Sequence, residues 1–152
     1  MRKVVLIAGP PCAGKTTLAK ALAAPGELVL DRDLIAQELG SPTRWGHAEH
    51  LAQQAEAVMR ARIAAVARAE DVTAYVVRSV PRPGQRIALA NELRATEVFL
   101  LNPGLEECMS RAARDGRPRG TTRAIRSWFA DYRPCGVDRR PHERPVATSR
   151  SW

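Results

Sequence analysis

The sequence predicts a three-layer α/β fold, a mostly parallel sheet of four to five strands with helices on both faces. Two observations carry that prediction. A short, continuously apolar run at Val4–Ala8 and apolar-rich runs at Val72–Val77 and Val98–Leu101 are the mark of strands buried on both faces of a parallel sheet. Between them lie longer stretches in which apolar residues return every three to four positions, the mark of amphipathic helices. At 152 residues the chain is one domain of ordinary size.

Val4–Ala8 is the first strand. It runs into a Gly/Pro-rich turn, and a helix follows from Lys15 to Ala24. Leu28–Leu30 is a second, short strand, and Leu34–Leu39 a short helix closed by Gly40-Ser41-Pro42. From His47 to Glu70 a long helix carries Leu51, Ala55, Val58, Ile63 and Val66 near helical spacing. Val72–Val77 is the third strand, Arg86–Leu93 the next helix and Val98–Leu101 the fourth strand. Pro103 opens the helix Leu105–Ala113, because proline suits a first helical turn. The loop Asp115–Gly120 leads to a helix over Thr121–Tyr132. Residues 1–134 make the domain. Residues 135–152 are a basic, Pro/Arg-rich tail, expected to be poorly ordered over Pro141–Trp152.

Composition excludes several classes. With 45% hydrophobic and 26% charged residues the chain folds rather than remaining disordered. Twenty-five alanines against three Trp, two Tyr and two Phe predict a core thin in aromatics. No apolar run approaches the roughly 20 residues of a membrane span, and the run after Met1-Arg2-Lys3 stops at Gly9-Pro10-Pro11, too early for a signal peptide. A cytoplasmic protein without a membrane partner is expected. Cys12, Cys108 and Cys135 are odd in number and lack Cys-x-x-Cys spacing, which argues for small buried or incidental residues rather than a disulfide or zinc site. The net charge of +8 comes from 21 Arg and 3 Lys against 16 acids. A basic surface suits phosphate-rich partners, nucleotide or nucleic acid, and the Arg and Ala excess equally fits a GC-rich genome.

Gly9-Pro10-Pro11-Cys12-Ala13-Gly14-Lys15-Thr16 satisfies G-x-x-x-x-G-K-[ST] between an apolar strand and a helix that opens with Thr16-Thr17. In such a loop glycines let backbone N–H groups close around phosphates at a helix N-terminus. Lys15 reaches the β- and γ-phosphates, and Thr16 is a ligand for Mg²⁺. The motif therefore calls for ATP or another NTP with Mg²⁺. Motor and switch NTPases carry an Asp at the end of an apolar strand. Here the third strand ends Val76-Val77-Arg78-Ser79, which leans toward a P-loop kinase fold.

Val29-Leu30-Asp31-Arg32-Asp33 puts two carboxylates at the carboxyl end of the second strand, where ligands of parallel sheets bind. A kinase needs a carboxylate there to take the proton of an acceptor hydroxyl. Asp33 fills that role or caps the following helix, and Asp31 is an alternative base. Between Arg111 and Arg126 stand six arginines and one acid, densest around the flexible Gly116-Arg117-Pro118-Arg119-Gly120. This reads as a lid over about 111–120 that neutralises charge in the transition state, with Arg114 and Arg117 as its catalytic members and Arg111 and Arg114 sharing a helical face. A solvated basic face or a nucleic-acid patch are the alternatives. Trp45 is placed to stack a base of the acceptor, Trp128 and Phe129 belong to the core, and His47 and His50 read as solvent-facing or helix-end residues.

The P-loop, the Arg32-Asp33 pair and the segment Arg111-Ala112-Ala113-Arg114-Asp115-Gly116-Arg117 resemble the kinase domain of the bacteriophage polynucleotide kinase family. That family lies within the small P-loop kinases of the AAA-type P-loop NTPases, and the resemblance spans roughly residues 3–134. It implies that Asp33 is the general base for a 5′-hydroxyl, that the arginine segment is the donor-phosphate lid, and that the acceptor is a DNA or RNA 5′ end. For a phage-encoded chain it would place the protein in the host cytoplasm. Two positions depart from the family. The arginine expected three residues after the base is Ala36, and the acid at the end of the next strand is Arg78. Arg78 is therefore a candidate to supply the missing guanidinium. The departures also leave room for a small-molecule, nucleoside or modified-base acceptor, or for a nucleotide-dependent switch. Oligomeric state is open.

Overall fold

The structure, a computed structural model, describes residues 1–141. Four strands, β1 (Lys3–Ala8), β2 (Leu28–Leu30), β3 (Thr73–Arg78) and β4 (Glu97–Leu100), alternate with six helices. The helices are α1 (Lys15–Leu22), α2 (Arg32–Glu38), α3 (Glu49–Arg68), α4 (Pro83–Leu93), α5 (Leu105–Arg114) and α6 (Thr121–Asp131). The sheet order is β2-β3-β1-β4 and every pairing is parallel. Past β4 the ladder continues only as a single bridge: Arg139 N donates to Val98 O at 3.0 Å and Leu100 N to Arg139 O at 2.8 Å. Among the described residues the sheet therefore has four strands, the lower of the expected numbers.

Strand pleating divides the core in two. Val4, Leu6, Ala74, Val76 and Val98 point to one face, where α2, α3 and α4 cover them with Ile35, Met59, Ile63, Val66 and Leu93. Val5, Ile7, Tyr75, Val77 and Phe99 point to the other, under Leu18, Ala19 and Leu22 of α1. This double burial is why the strand interiors read as apolar runs. At the carboxyl ends of the strands α5 and α6 close over the P-loop, packing Cys12 against Cys108, Ala112 and Ile125. Trp128 is buried against Ala8 and Leu100 and donates from Nε1 to Ser79 O at 2.7 Å. Among the described residues the cysteines are free, and no helix is long and apolar enough to cross a membrane.

Several helix ends differ from the sequence expectation, each for a local reason. Pro103 does not sit in the first turn of α5. Gly104, at φ +101°, is the N-cap, a conformation other residues rarely adopt. The third helix begins at Glu49 rather than His47, because the His47 side chain is drawn back toward α2. The fourth begins at Pro83, with Gln85 accepting from the Arg82 backbone N–H at 3.4 Å. Of the expected tail, residues 142–152 lie outside the described residues.

Candidate nucleotide and acceptor site

The loop between β1 and α1 brings the P-loop residues together as its spacing requires. Gly9 has φ +156°, and a Cβ there would lie 2.5 Å from the Leu101 carbonyl oxygen. Gly14, at φ +91°, caps α1 without a capping side chain, so the first-turn N–H groups stay available to an anion. Cys12 holds the left-handed φ of +66° without being glycine, and burial pushes its thiol up, which keeps it protonated. Lys15 folds back on the loop, donating from Nζ to Gly9 O at 2.9 Å and Pro10 O at 2.7 Å. Desolvation pushes its ammonium down to about 8.

The two carboxylates after β2 have different partners. Asp31 is buried and both its oxygens are engaged: Oδ1 accepts from the N–H groups of Asp33 at 2.8 Å and Leu34 at 3.2 Å, and Oδ2 accepts from the Thr16 hydroxyl. Capping α2 is thus the work of Asp31, not of Asp33. Asp33 stands two residues on, in the first turn of α2, with its carboxylate 44% exposed. Its Oδ1 lies 2.9 Å from His47 Nε2, and His47 Nδ1 lies 2.6 Å from Ser41 Oγ. The His47 side chain is only 6% exposed, which corrects the solvent-facing expectation for that residue, whereas His50 is exposed in the first turn of α3. Nothing in the spacing of residues 33, 41 and 47 announces this chain of contacts. It depends on an irregular loop that folds back on α2.

Thr16 and Asp31 fit an Mg²⁺ site of the P-loop kind, in which one or two protein oxygens suffice because phosphates and water complete the shell. The acid missing from the end of β3 is matched here by one from β2.

Arg78 lies in the same cleft but is bound to Glu56, Nη1 to Oε1 at 2.8 Å and Nη2 to Oε2 at 2.9 Å. That hydrogen-bonded pairing holds the Glu56 carboxyl below its ordinary value. Ala36 is fully buried in the core. In the arginine-rich segment read as a lid, Arg111 donates to Cys12 O at 3.1 Å and to Glu107 at 2.9 Å. Arg114 is 66% exposed and 3.7 Å from Glu107. Arg117 lines the cleft and stacks on Trp45, its guanidinium carbon 3.9 Å from the ring centroid.

Two clefts meet at the P-loop. One, of about 470 Å³, is lined by Pro11, Ala13 and Thr17 with the rest of the loop, and by Asp31, Arg32, Asp33, Arg44, Trp45, Arg78 and Arg117. The other, of about 730 Å³, starts at Ala13 and runs past Asn102, Arg111 and Tyr132 to Asp138, Arg139 and Arg140. The sequence reading did not find this second group. It is held by Arg86, fully buried, whose Nε and Nη2 each lie 2.9 Å from an oxygen of Asp138. Arg86 Nη1 donates to the carbonyls of Val80 at 3.1 Å and Pro81 at 2.6 Å.

A family model described as AAA domain matches residues 4–134. No curated protein sequence matches the chain. Among solved structures, a tunicamycin resistance protein of Deinococcus radiodurans superposes with a TM-score of 0.60 at 19% identity, covering 98% of this chain and 96% of its own. Shikimate kinase from Acinetobacter baumannii, solved with shikimate, gives 0.56 at 19% identity over 86% of this chain and 75% of its own. A candidate kinase from Chloroflexus aurantiacus gives 0.55 at 19% identity over 99% and 94%. At that identity the matches establish a common fold, the three-layer P-loop kinase architecture.

Proposed function

The chain belongs to the AAA domain family, and from that premise we propose that it is an ATP-dependent kinase moving the γ-phosphate of ATP, or another NTP, to a hydroxyl. The observation that carries the reading is Asp33. Its carboxylate opens on the cleft that Lys15 and Thr16 line, with one oxygen held by His47 and the other left to accept a proton.

The geometry supports the following division of labour. Lys15 and the P-loop N–H groups hold the donor phosphates, and the second cleft takes the donor base and ribose beside Arg111, Tyr132, Arg139 and Arg140. Thr16 and Asp31 would hold Mg²⁺, which would supply Lewis-acid stabilisation of the phosphate charge. Asp33 takes the acceptor hydroxyl's proton as the new O–P bond forms. The bond from the γ-phosphorus to the bridging oxygen breaks, and ADP leaves. Arg117, with Arg114 entering from the lid, offsets the charge on the transferring oxygens.

The acceptor we favour is the 5′-hydroxyl of a DNA or RNA end, supported by the charge of +8 and by the family resemblance of the P-loop, Arg32-Asp33 and lid segments. A small-molecule or modified-base acceptor is favoured by one contact. Arg78, the candidate for reading an acceptor phosphate, has its charge matched by Glu56. Transfer of label from γ-labelled ATP with Mg²⁺ to a 5′-hydroxyl oligonucleotide, beside a 5′-phosphorylated control, separates the two. Label on the first alone establishes a polynucleotide acceptor. Label on neither, with ATP bound, moves the acceptor to a small molecule.

A further inference from the structure

The loop over residues 41–47 touches both halves of the reaction cleft. At its end His47 holds Asp33. Two residues earlier, Trp45 holds Arg117 by stacking alone. Among the described residues no carboxylate pairs with that guanidinium, and its Nε is buried without a hydrogen-bond partner. The other arginines on the P-loop side of the lid differ, since Arg111 and Arg114 both reach Glu107. Between Trp45 and His47 stands Gly46 at φ +68°, where a Cβ would lie 2.9 Å from Pro118 Cγ. Arg117 and Pro118 are thus seated on Trp45 and Gly46. A buried, unsatisfied N–H on a charged group is costly unless a partner arrives, and the cleft that Arg117 faces also contains Lys15 and Thr16.

We propose that Trp45 is the positioning residue of the lid arginine: its indole face keeps Arg117 unpaired beside the P-loop, ready for the γ-phosphate, so that one loop registers both Arg117 and Asp33. The proposal rests on the kinase reading of the site. It assigns Trp45 to the lid rather than to a base of the acceptor. An aromatic face is what position 45 requires, because an aliphatic side chain lacks the quadrupole that attracts a guanidinium. The effect is confined to triphosphates, because a diphosphate offers no γ-phosphate to meet.

The test is equilibrium binding of Mg²⁺ with a non-hydrolysable ATP analogue, and of MgADP, to the full chain by calorimetry. Trp45→Leu and Arg117→Ala are each expected to weaken the analogue about tenfold, the scale of one charged hydrogen bond, and to leave MgADP within about twofold. Trp45→Phe should bind like the wild type. The double variant should be no weaker than Arg117→Ala alone, because the two residues act as one unit. Thermal melts establish that each variant is folded. Wild-type affinity in Trp45→Leu, additive losses in the double variant, or equal weakening of MgADP would each overturn the proposal while leaving the kinase reading intact. A wild-type chain that binds neither nucleotide would overturn both.

Discussion

His47 Nε2 lies 2.9 Å from Asp33 Oδ1 while its Nδ1 lies 2.6 Å from Ser41 Oγ, so a buried imidazole fixes the carboxylate proposed to take the acceptor's proton. A carboxylate only accepts, so Nε2 carries the hydrogen of that bond. Asp33→Asn is expected to lower kcat by about 10²- to 10⁴-fold, the range of a positioned general base. His47→Ala should lower it about tenfold, since one anchoring hydrogen bond of roughly 1.5 kcal/mol is lost. His47→Gln, which restores an N–H donor, should recover part of that. MgATP affinity should be unchanged in all three. Steady-state kinetics on the acceptor identified by label transfer, with calorimetry for MgATP, check the split between kcat and binding.

Lys15 makes donor binding depend on pH. In the free protein desolvation holds its ammonium at about 8, and arriving phosphates favour the charged form and raise that value. Binding above pH 8 therefore takes up a proton, and affinity falls as pH rises, approaching about tenfold per unit. Near pH 7 Lys15 is charged before and after binding, so no uptake is expected. Calorimetry at pH 7 and pH 9 in buffers of different ionisation enthalpy measures the protons directly, and Lys15→Met should abolish the difference. Folding carries the opposite sign. Between about 8 and the ordinary 10.5 the unfolded chain holds more protons, so stability rises with pH across that window.

Asp31 joins two functions that substitutions can separate. It caps α2 through Oδ1 and accepts from Thr16 through Oδ2. Asp31→Ala should cost about 1 kcal/mol of stability for the lost cap and raise the Mg²⁺ concentration needed for half-maximal turnover by roughly 10- to 100-fold. Asp31→Asn keeps an oxygen for the cap, so its stability loss should be small, while the loss of charge leaves the Mg²⁺ effect. Thermal melts paired with Mg²⁺ titrations of activity read the two separately.

The sequence made legible whatever a single segment encodes. Residues 4–8, 72–77 and 98–101 announced themselves as strands because burial on both faces leaves them almost wholly apolar, with Thr73 at a strand end the one exception, and the P-loop did so through fixed spacing. The contacts that assemble the site are not segmental. Thr16 and Asp31 stand on different elements, Asp33 meets His47 across fourteen positions, and Trp45 meets Arg117 from a loop with no periodicity to read. The second cleft was hidden for the same reason. Asp138 lies in a stretch whose composition is that of a tail, and its partner Arg86 is 52 residues away.

That pairing yields the last prediction. Arg86 is fully buried, spans both oxygens of Asp138 and donates to the Val80 and Pro81 carbonyls. It thereby ties α4, the turn after β3 and the segment that carries Arg139 to the sheet edge. Removing one partner of a buried ion pair strands the other, at about 3–5 kcal/mol. Arg86→Met should lose that much, and Arg86→Lys nearly as much, because an ammonium cannot span two carboxylate oxygens and two carbonyls from one planar fork. Asp138→Asn alone should also be costly. Pairing it with Arg86→Met should recover part of the loss, because no charge is then left buried. Urea unfolding of the four proteins measures these differences, and an Arg86→Lys chain as stable as the wild type would sink the assignment. In the variants that still fold, MgADP should bind more weakly, because Tyr132, Arg139 and Arg140 line the proposed donor cleft from the segment that Arg86 holds down.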